Sequence, residues 1–234
     1  GTLYGASSQA GTIRIITNKP DSSGFAAGYS LEGNLVDTDD AGYVAEGFVN
    51  FPIGENAALR VVGWTLHEAG WVDNKFATRT YTINQCVDGE VDEDTGACVI
   101  GPDSSDDYTS RNDEFAEDNY NTIDTYGARA ALRVNLGENW SITPSLSYQN
   151  TQQEGFWGDD LNDTLASGDN AVAHFRDEYS DDEWWQAGLT IEGSIGNFDV
   201  VYSGNYLDRD QDGSFDYSDY SFYYDNLYTT GYFA

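Results

Sequence analysis

The chain alternates very short turns with very long connections, and this asymmetry constrains its fold more than any other feature. Three glycine-containing turns lie at 51–56, 135–140 and 194–198, each between runs of alternating apolar and polar residues. The other connections are mostly long, acidic and rich in aromatic residues. Antiparallel strands joined in this way form a meander whose two ends face different surroundings. Such asymmetry is typical of transmembrane β-barrels, which have short turns on one side of the bilayer and long loops on the other.

Period-two alternation predicts seven long strands with apolar side chains on one face. About ten residues a strand is the length that crosses a bilayer at a tilt. In a soluble β-sandwich the same apolar face would form a core, so alternation alone leaves both folds open and the loop asymmetry favours the barrel. The predicted strands are 25–35, 43–53, 59–66, 122–136, 140–149, 184–195 and 198–206, after a short strand at 12–17; the predicted long loops are 70–121, 152–182 and the segment from Asp208 onward.

Charge and hydropathy exclude two classes of protein. There are 41 acidic residues against 10 basic ones, a formal net charge of −31, so nucleic-acid phosphates would be repelled and we expect no nucleic-acid partner. No run of about 18 to 20 apolar residues occurs, so contact with a bilayer would have to be made by strands. The acids concentrate in the predicted loops, at 103–118 and 154–183.

The two cysteines, Cys86 and Cys98, fall within one predicted loop. Their closeness predicts a disulfide that closes a small ring, which the chain-entropy model values at about 3 kcal/mol. A disulfide of this kind implies an oxidising compartment. Two unpaired thiols are the less favoured alternative, and a zinc site is poorer still because only His67 and His174 are available to complete it.

The first twenty residues resemble a known family. Leu3-Tyr4-Gly5, followed by Gly11 and the run 12–20 (Thr-Ile-Arg-Ile-Ile-Thr-Asn-Lys-Pro), resembles the end of the plug domain of TonB-dependent outer-membrane receptors. In that family the corresponding L-Y-G turn precedes a pair of glycines and a final plug strand. The sequence departs from the pattern at Ala10, which replaces the first glycine of the pair and restricts the local turn. The segment 70–74 (Gly-Trp-Val-Asp-Asn) also resembles the early barrel of the family.

The resemblance implies an all-β fold, an antiparallel meander that is part of a large transmembrane β-barrel of the 22-stranded type. Residues 1–20 would be the C-terminal end of the plug domain, and residues 21–234 would supply about the first seven barrel strands. The implied partners are TonB with its inner-membrane energy-coupling complex, outer-membrane lipid, lipopolysaccharide and a small-molecule ligand. The segment that contacts TonB would be absent from this chain, and the implied location is the bacterial outer membrane.

An acidic motif suggests a metal site. Asp208, Asp210, Asp212 and a glycine at the sixth position, continuing to Asp216 and Asp219, match the start of a calcium loop, which needs oxygen ligands at alternate positions. The twelfth position is aspartate where a bidentate glutamate is expected, so a solvated loop is the better interpretation. Apart from this calcium candidate, we expect no cofactor.

Aromatic residues in the loops are candidate ligand contacts. Trp157, Trp184, Tyr217 and Tyr220 suit stacking against sugar rings or aromatic chelators, although girdle or loop packing is the more ordinary role for each. We expect Arg60, Arg129 and Arg133 to face a barrel lumen and to pair with acids of the plug or the barrel wall, and three arginines are too few to name an anion site.

The function that the resemblance implies is TonB-dependent import of a scarce nutrient, with a ferric siderophore as the leading ligand. Uptake of a carbohydrate or other neutral solute is the alternative, because acidic loops repel anions. A passive porin and a secreted calcium-binding β-protein are further alternatives. No catalytic motif is present, since Gly5 to Gln9 fails the nucleophile-elbow pattern, and we expect no enzyme.

Overall fold

The computed structural model describes residues 16–36, 40–91, 98–155, 157–158, 170–218 and 220, and for 81–91 and 98–108 it describes the backbone alone. These residues are almost entirely β-structure, which confirms the predicted all-β class. In the part of the chain that the structure describes, no helix is long and apolar enough to cross a lipid bilayer. The strands are β1 (Ala26–Leu35), β2 (Ala41–Ile53), β3 (Ala57–Glu68), β4 (Asp73–Asn74), β5 (Thr78–Val91), β6 (Cys98–Arg111), β7 (Ile123–Leu136), β8 (Trp140–Glu154), β9 (Ala171–Val172), β10 (Tyr179–Ile195) and β11 (Phe198–Ser214).

Seven of the strands form one antiparallel sheet in the order β1-β2-β3-β7-β8-β10-β11. This is the predicted meander: its seven strands follow one another along the chain, interrupted between β3 and β7 by β4 and the hairpin of β5 and β6, and between β8 and β10 by β9. Three tight turns at one end of the sheet have glycine in the left-handed region, at Gly54 (φ 65°), Gly137 (φ 68°) and Gly196 (φ 63°). Only glycine adopts this conformation without strain, which is why these turns were recognisable in the sequence.

Each of the three segments predicted to be long loops contains strand residues. The segment 70–121 contains the two-residue strand β4 and a hairpin of β5 and β6, paired from Thr78↔Arg111. β10 begins at Tyr179 rather than near 184, and β11 continues to Ser214, so the residues from Asp208 to Asp212 are strand and not loop. These extensions are polar on both faces. Hydrophobic alternation therefore does not reveal them, although backbone pairing forms them equally well.

The seven-stranded sheet has one apolar and one polar face. On β8 and β10 the register pairs Leu146 with Ala187 and Ile142 with Ile191 on the apolar face, as predicted from alternation. Within the described residues no second layer covers this face: the exposed fraction of Leu31 is 72% and that of Leu146 is 54%. The buried apolar core lies instead among the loops, around Phe175.

Aromatic rings border the apolar face at the turn end of the sheet. The ring centroids of Phe25 and Phe51 lie 5.3 Å apart in an edge-to-face arrangement. Trp140 and Phe198 lie at the same end, each directly after a tight turn.

A second aromatic row borders the apolar face at the loop end. Tyr126 contacts Tyr148 with centroids 6.2 Å apart, and Trp185 contacts Tyr206 at 5.3 Å. Along β8, Trp140 to Tyr148 spans nine residues. That length matches the roughly 9–11 residues with which a tilted strand crosses the hydrocarbon of a membrane.

Glycines opposite tryptophans fix two indole rings against the sheet. Trp64 pairs with Gly127 across β3 and β7, and Trp140 pairs with Gly193 across β8 and β10. A Cβ at Gly127 would lie 2.4 Å from the Trp64 ring, and one at Gly193 would lie 2.2 Å from the Trp140 ring. The missing side chains therefore allow both rings to lie on the neighbouring strand.

Candidate functional site on the polar face and at the loop end

The chain before β1, residues 16–24, lies on the polar face of the sheet, and we call it the tail. Asn50 of β2 holds it: the side-chain carbonyl of Asn50 accepts the N–H of Asp21 at 3.0 Å, and its amide donates to the carbonyls of Asp21 and Gly24 at 2.8 and 2.9 Å. Lys19 forms an ion pair with Glu192 of β10 at 2.5 Å. β2 and β10 are not neighbours in the sheet, so the tail bridges distant strands across this face.

Three asparagines join residues 70–77, 112–121 and 170–178 into a folded unit above the loop end of the sheet, and we call this unit the cap. Asn112 accepts the N–H of Ala77 at 2.6 Å and donates to the carbonyls of Lys75 and His174 at 2.8 and 3.0 Å. Asn121 accepts two N–H groups, those of residues 71 and 72, both at 2.7 Å. Asn74 donates to two carbonyls, those of residues 115 and 174. Side-chain amides thus replace the backbone ladder where the chain is irregular.

A buried carboxylate connects a further part of the cap. Glu178, of which 3% of the side chain is exposed, contacts Nδ1 of His174 at 2.5 Å and accepts the hydroxyl of Tyr120 at 3.1 Å. Its other oxygen accepts the N–H of Asp216 at 2.9 Å. Buried charges persist in proteins when they are hydrogen-bonded and paired in this way. We interpret the cluster as structural, because its polar atoms form hydrogen bonds with one another.

Asp73 stabilises the start of the cap, and this stabilisation depends on pH. Burial by itself raises the pKa of this carboxyl, but the ammonium of Lys75 at 2.6 Å and the N–H of Asn119 at 2.9 Å outweigh it, so the pKa of Asp73 lies below its ordinary 3.8. The folded-state pKa is depressed. The stabilisation is therefore present above pH 3.8 and is lost as pH falls through the folded pKa.

We expect Asp73→Asn to loosen the Asn119 amide at neutral pH but not in strong acid. Asparagine mimics the protonated carboxyl, so the two proteins become alike once Asp73 is protonated. The measurement is hydrogen exchange of Asn119 in both proteins from pH 2 to pH 6, taken as a ratio at each pH so that intrinsic exchange cancels. A ratio that stays constant across this range would contradict the assignment.

The predicted aromatic contacts are spread over the loop end. Trp157, Tyr217 and Tyr220 are exposed there, and Trp184 lies on the polar face of β10. Tyr217 has 70% of its surface exposed. These residues remain predicted ligand contacts.

The calcium candidates adopt a different conformation from a metal loop. Asp208, Asp210 and Asp212 lie in extended β11, on the same face as the apolar side chains and beyond the loop-end aromatic row. Asp216 binds the cap through the N–H groups of Phe175 and Ser218, and Asp219 lies outside the described residues. Among the described residues, no group of three His, Cys, Asp or Glu is placed to hold a metal ion.

Two other predicted features fall outside what the structure describes. The plug-end motif, Leu3, Tyr4, Gly5 and Gly11, precedes residue 16. The side chains of Cys86 and Cys98 belong to the segments with backbone alone, where Cys86 pairs with Ile100 and Cys98 with Val91. The disulfide therefore stays a prediction.

No protein-family model, no curated protein and no solved structure matches this chain. The function is therefore inferred from the chain's own residues, from their arrangement and from the resemblance of its first twenty residues.

Proposed function

We propose that this chain belongs to a TonB-dependent receptor of the bacterial outer membrane, comprising the end of the plug and the first strands of the barrel. The observation that carries the proposal is the position of the tail. It lies on the polar face, where Asn50 and Glu192 bind it, and the opposite face is apolar and bordered by two aromatic rows. A sheet that faces lipid on one side and a filled lumen on the other has this arrangement.

The two ends of the sheet support an orientation. Tight glycine turns at one end would face the periplasm, and the cap and the acidic strand extensions at the other end would face the exterior. A passive porin is the rival within the same membrane. It has no need of a segment crossing its lumen, so the contacts of the tail favour the receptor.

The proposed cargo is a scarce nutrient, with a ferric siderophore as the leading class. Uptake of a carbohydrate or other neutral solute is the alternative, supported by the exposed aromatic residues at the loop end. If the cargo is a ferric siderophore, a strain lacking the gene should grow poorly when iron is limiting. If the cargo is a carbohydrate, the strain should grow poorly when glycans are limiting. Normal growth under both limitations would argue against both cargoes.

A reversible crosslink between the tail and β10 should block uptake. The experiment joins cysteines at Lys19→Cys and Glu192→Cys with a cleavable bismaleimide, in a background in which Cys86 and Cys98 are serine. We expect efficient crosslinking, loss of TonB-dependent uptake and recovery after the linker is cleaved, because release of ligand requires the plug to move.

The matched control is Lys19→Cys with Leu189→Cys, because Leu189 lies on the apolar face of the same strand and should not crosslink. If the Lys19/Glu192 pair failed to crosslink, the proposed position of the tail in the lumen would be wrong. Uptake that persists in the crosslinked protein and in cells without TonB would indicate a porin.

A further inference from the structure

A cavity of roughly 470 Å³ lies between the tail and the polar face of the sheet. Its walls include Arg60 of β3, Arg129 of β7, the rings of Phe48 and Trp64, and residues 16–18 of the tail. The Cζ atom of Arg60 lies over the Phe48 ring, 3.9 Å from its centroid. Trp64 donates its indole N–H to Gln149 at 3.3 Å, which fixes that wall. The cavity thus combines two cations with two aromatic surfaces.

The two arginines are diagonal neighbours on adjacent strands. Arg60 is opposite Ala131, and Arg129 is opposite Val62, two positions along. Like charges placed this close on one face of a sheet repel each other. An anion between them would convert the repulsion into two attractive interactions.

No carboxylate in the described part of the chain neutralises this pair. Lys19, Lys75, Arg111 and Arg209 each form an ion pair with an acid, but Arg60 and Arg129 form none. Glu46 lines the same cavity without pairing with either arginine. Residues 1–15, which precede the tail, contain no Asp or Glu. In a chain with 41 acids and 10 bases, two such arginines in one cavity are the exception.

We propose that the cavity is a binding site for an organic anion. A phosphate or carboxylate group lies between Arg60 and Arg129, whose planar guanidinium groups match such oxyanions with paired hydrogen bonds. An apolar or aromatic part of the ligand contacts Phe48 and Trp64. The volume falls within the range of about 300–1,000 Å³ that small-molecule sites occupy.

This inference deepens the proposed function, on which its role in transport rests. A site of this kind under the tail selects anionic cargo over neutral sugars once the cargo has passed the acidic loop end. Binding to the site itself is independent of any transport.

The test measures binding of phenyl phosphate and benzoate to the purified protein in detergent micelles by titration calorimetry, with benzamide as the neutral counterpart of benzoate. We expect saturable binding of both anions and none of benzamide. Arg60→Gln and Arg129→Gln should each weaken phenyl phosphate binding by about tenfold, because each removes a charge-assisted pair of hydrogen bonds. Arg60→Lys, which keeps the charge and loses the planar group, should weaken binding less.

The matched control is Arg133→Gln, on the same face of β7 but outside this cavity, where Arg133 donates to Asn135 at 3.2 Å. We expect Arg133→Gln to change the affinity for phenyl phosphate less than twofold. The melting temperature of every variant is measured to check that each protein is folded. Absence of saturable phenyl phosphate binding, equal binding of benzamide and benzoate, or an equal loss in Arg133→Gln would each overturn the anion site. None of these outcomes affects the crosslinking result, so the receptor proposal stands or falls separately.

Discussion

Replacing Leu189 with arginine is expected to prevent stable insertion into a bilayer, whereas arginine at the next residue, Thr190, is expected to be tolerated. Leu189 lies on the apolar face of β10 about midway between Trp185 and the turn end of the strand, and 38% of its surface is exposed. Arginine on the lipid face at the bilayer midplane costs about 2–4 kcal/mol in barrel proteins. Thr190 faces the other way, and Glu192 on that face would attract the new charge.

The measurement is the yield of folded protein in phospholipid vesicles as the urea concentration rises, for the two variants and the parent chain. We expect Leu189→Arg to lose the folded form at much lower urea than the parent, and Thr190→Arg to follow the parent closely. The two variants carry the same added charge one residue apart, so only the direction of the side chain differs. Equal effects would mean that the two faces do not differ in their contact with lipid, and the opposite ranking would mean that the Thr190 face meets lipid.

The strands of the main sheet could be predicted from sequence because their signal is local. On β8, Trp140, Ile142 and Leu146 alternate with serine and threonine, and a glycine with positive φ marks the turn before them. Nothing beyond neighbouring residues is needed to recognise such a strand. The assignment of Arg129 and Arg133 to the polar face followed from the same alternation and is confirmed by the register.

The hairpin of β5 and β6 could not be predicted in this way. Residues 78–84 and 105–111 are mostly threonine, serine and acids, so hydrophobic alternation is absent although the backbone pairs regularly. The local signal is limited to residue types that favour strands, which are threonine at 78, 80, 82 and 109 together with Tyr81, Ile83 and Tyr108. The strand extension at 208–214 could not be predicted for the same reason, since its aspartates indicate a loop.

The contacts that define the candidate sites depend on residues far apart in sequence. Arg60 and Arg129 become neighbours only because β3 pairs with β7 across the whole inserted hairpin. Lys19 and Glu192 are separated by 173 positions. The cap asparagines show no motif at all, because an asparagine in a loop is ordinary until the segments it joins are known. Alternation predicts faces, whereas only the register predicts which charges share a cavity.

Removing the side chain of Asn112 is expected to unfold the cap while leaving the sheet intact. Asn112 is fully buried, and Asn112→Ala leaves the N–H of Ala77 and the carbonyl of Lys75 without the partner they have now, while the carbonyl of His174 keeps its bond from Asn74. Each buried polar group left unsatisfied costs about 1–3 kcal/mol, so a loss of roughly 3 kcal/mol or more in local stability is expected.

Because the loss is local, hydrogen exchange at Ala77 and at residues 171–175 should accelerate at least a hundredfold, while exchange in β8 and β10 stays unchanged. Asn112→Asp keeps the shape and still accepts from Ala77, but it sets a carboxylate against two carbonyl oxygens, and it should loosen the cap as well. Asn139→Ala is the control, since Asn139 is exposed in a turn and its backbone carbonyl keeps the bond from Ser194. Unchanged exchange at Ala77 in both Asn112 variants would show that the apolar contacts around Phe175, rather than the buried amides, hold the loops together.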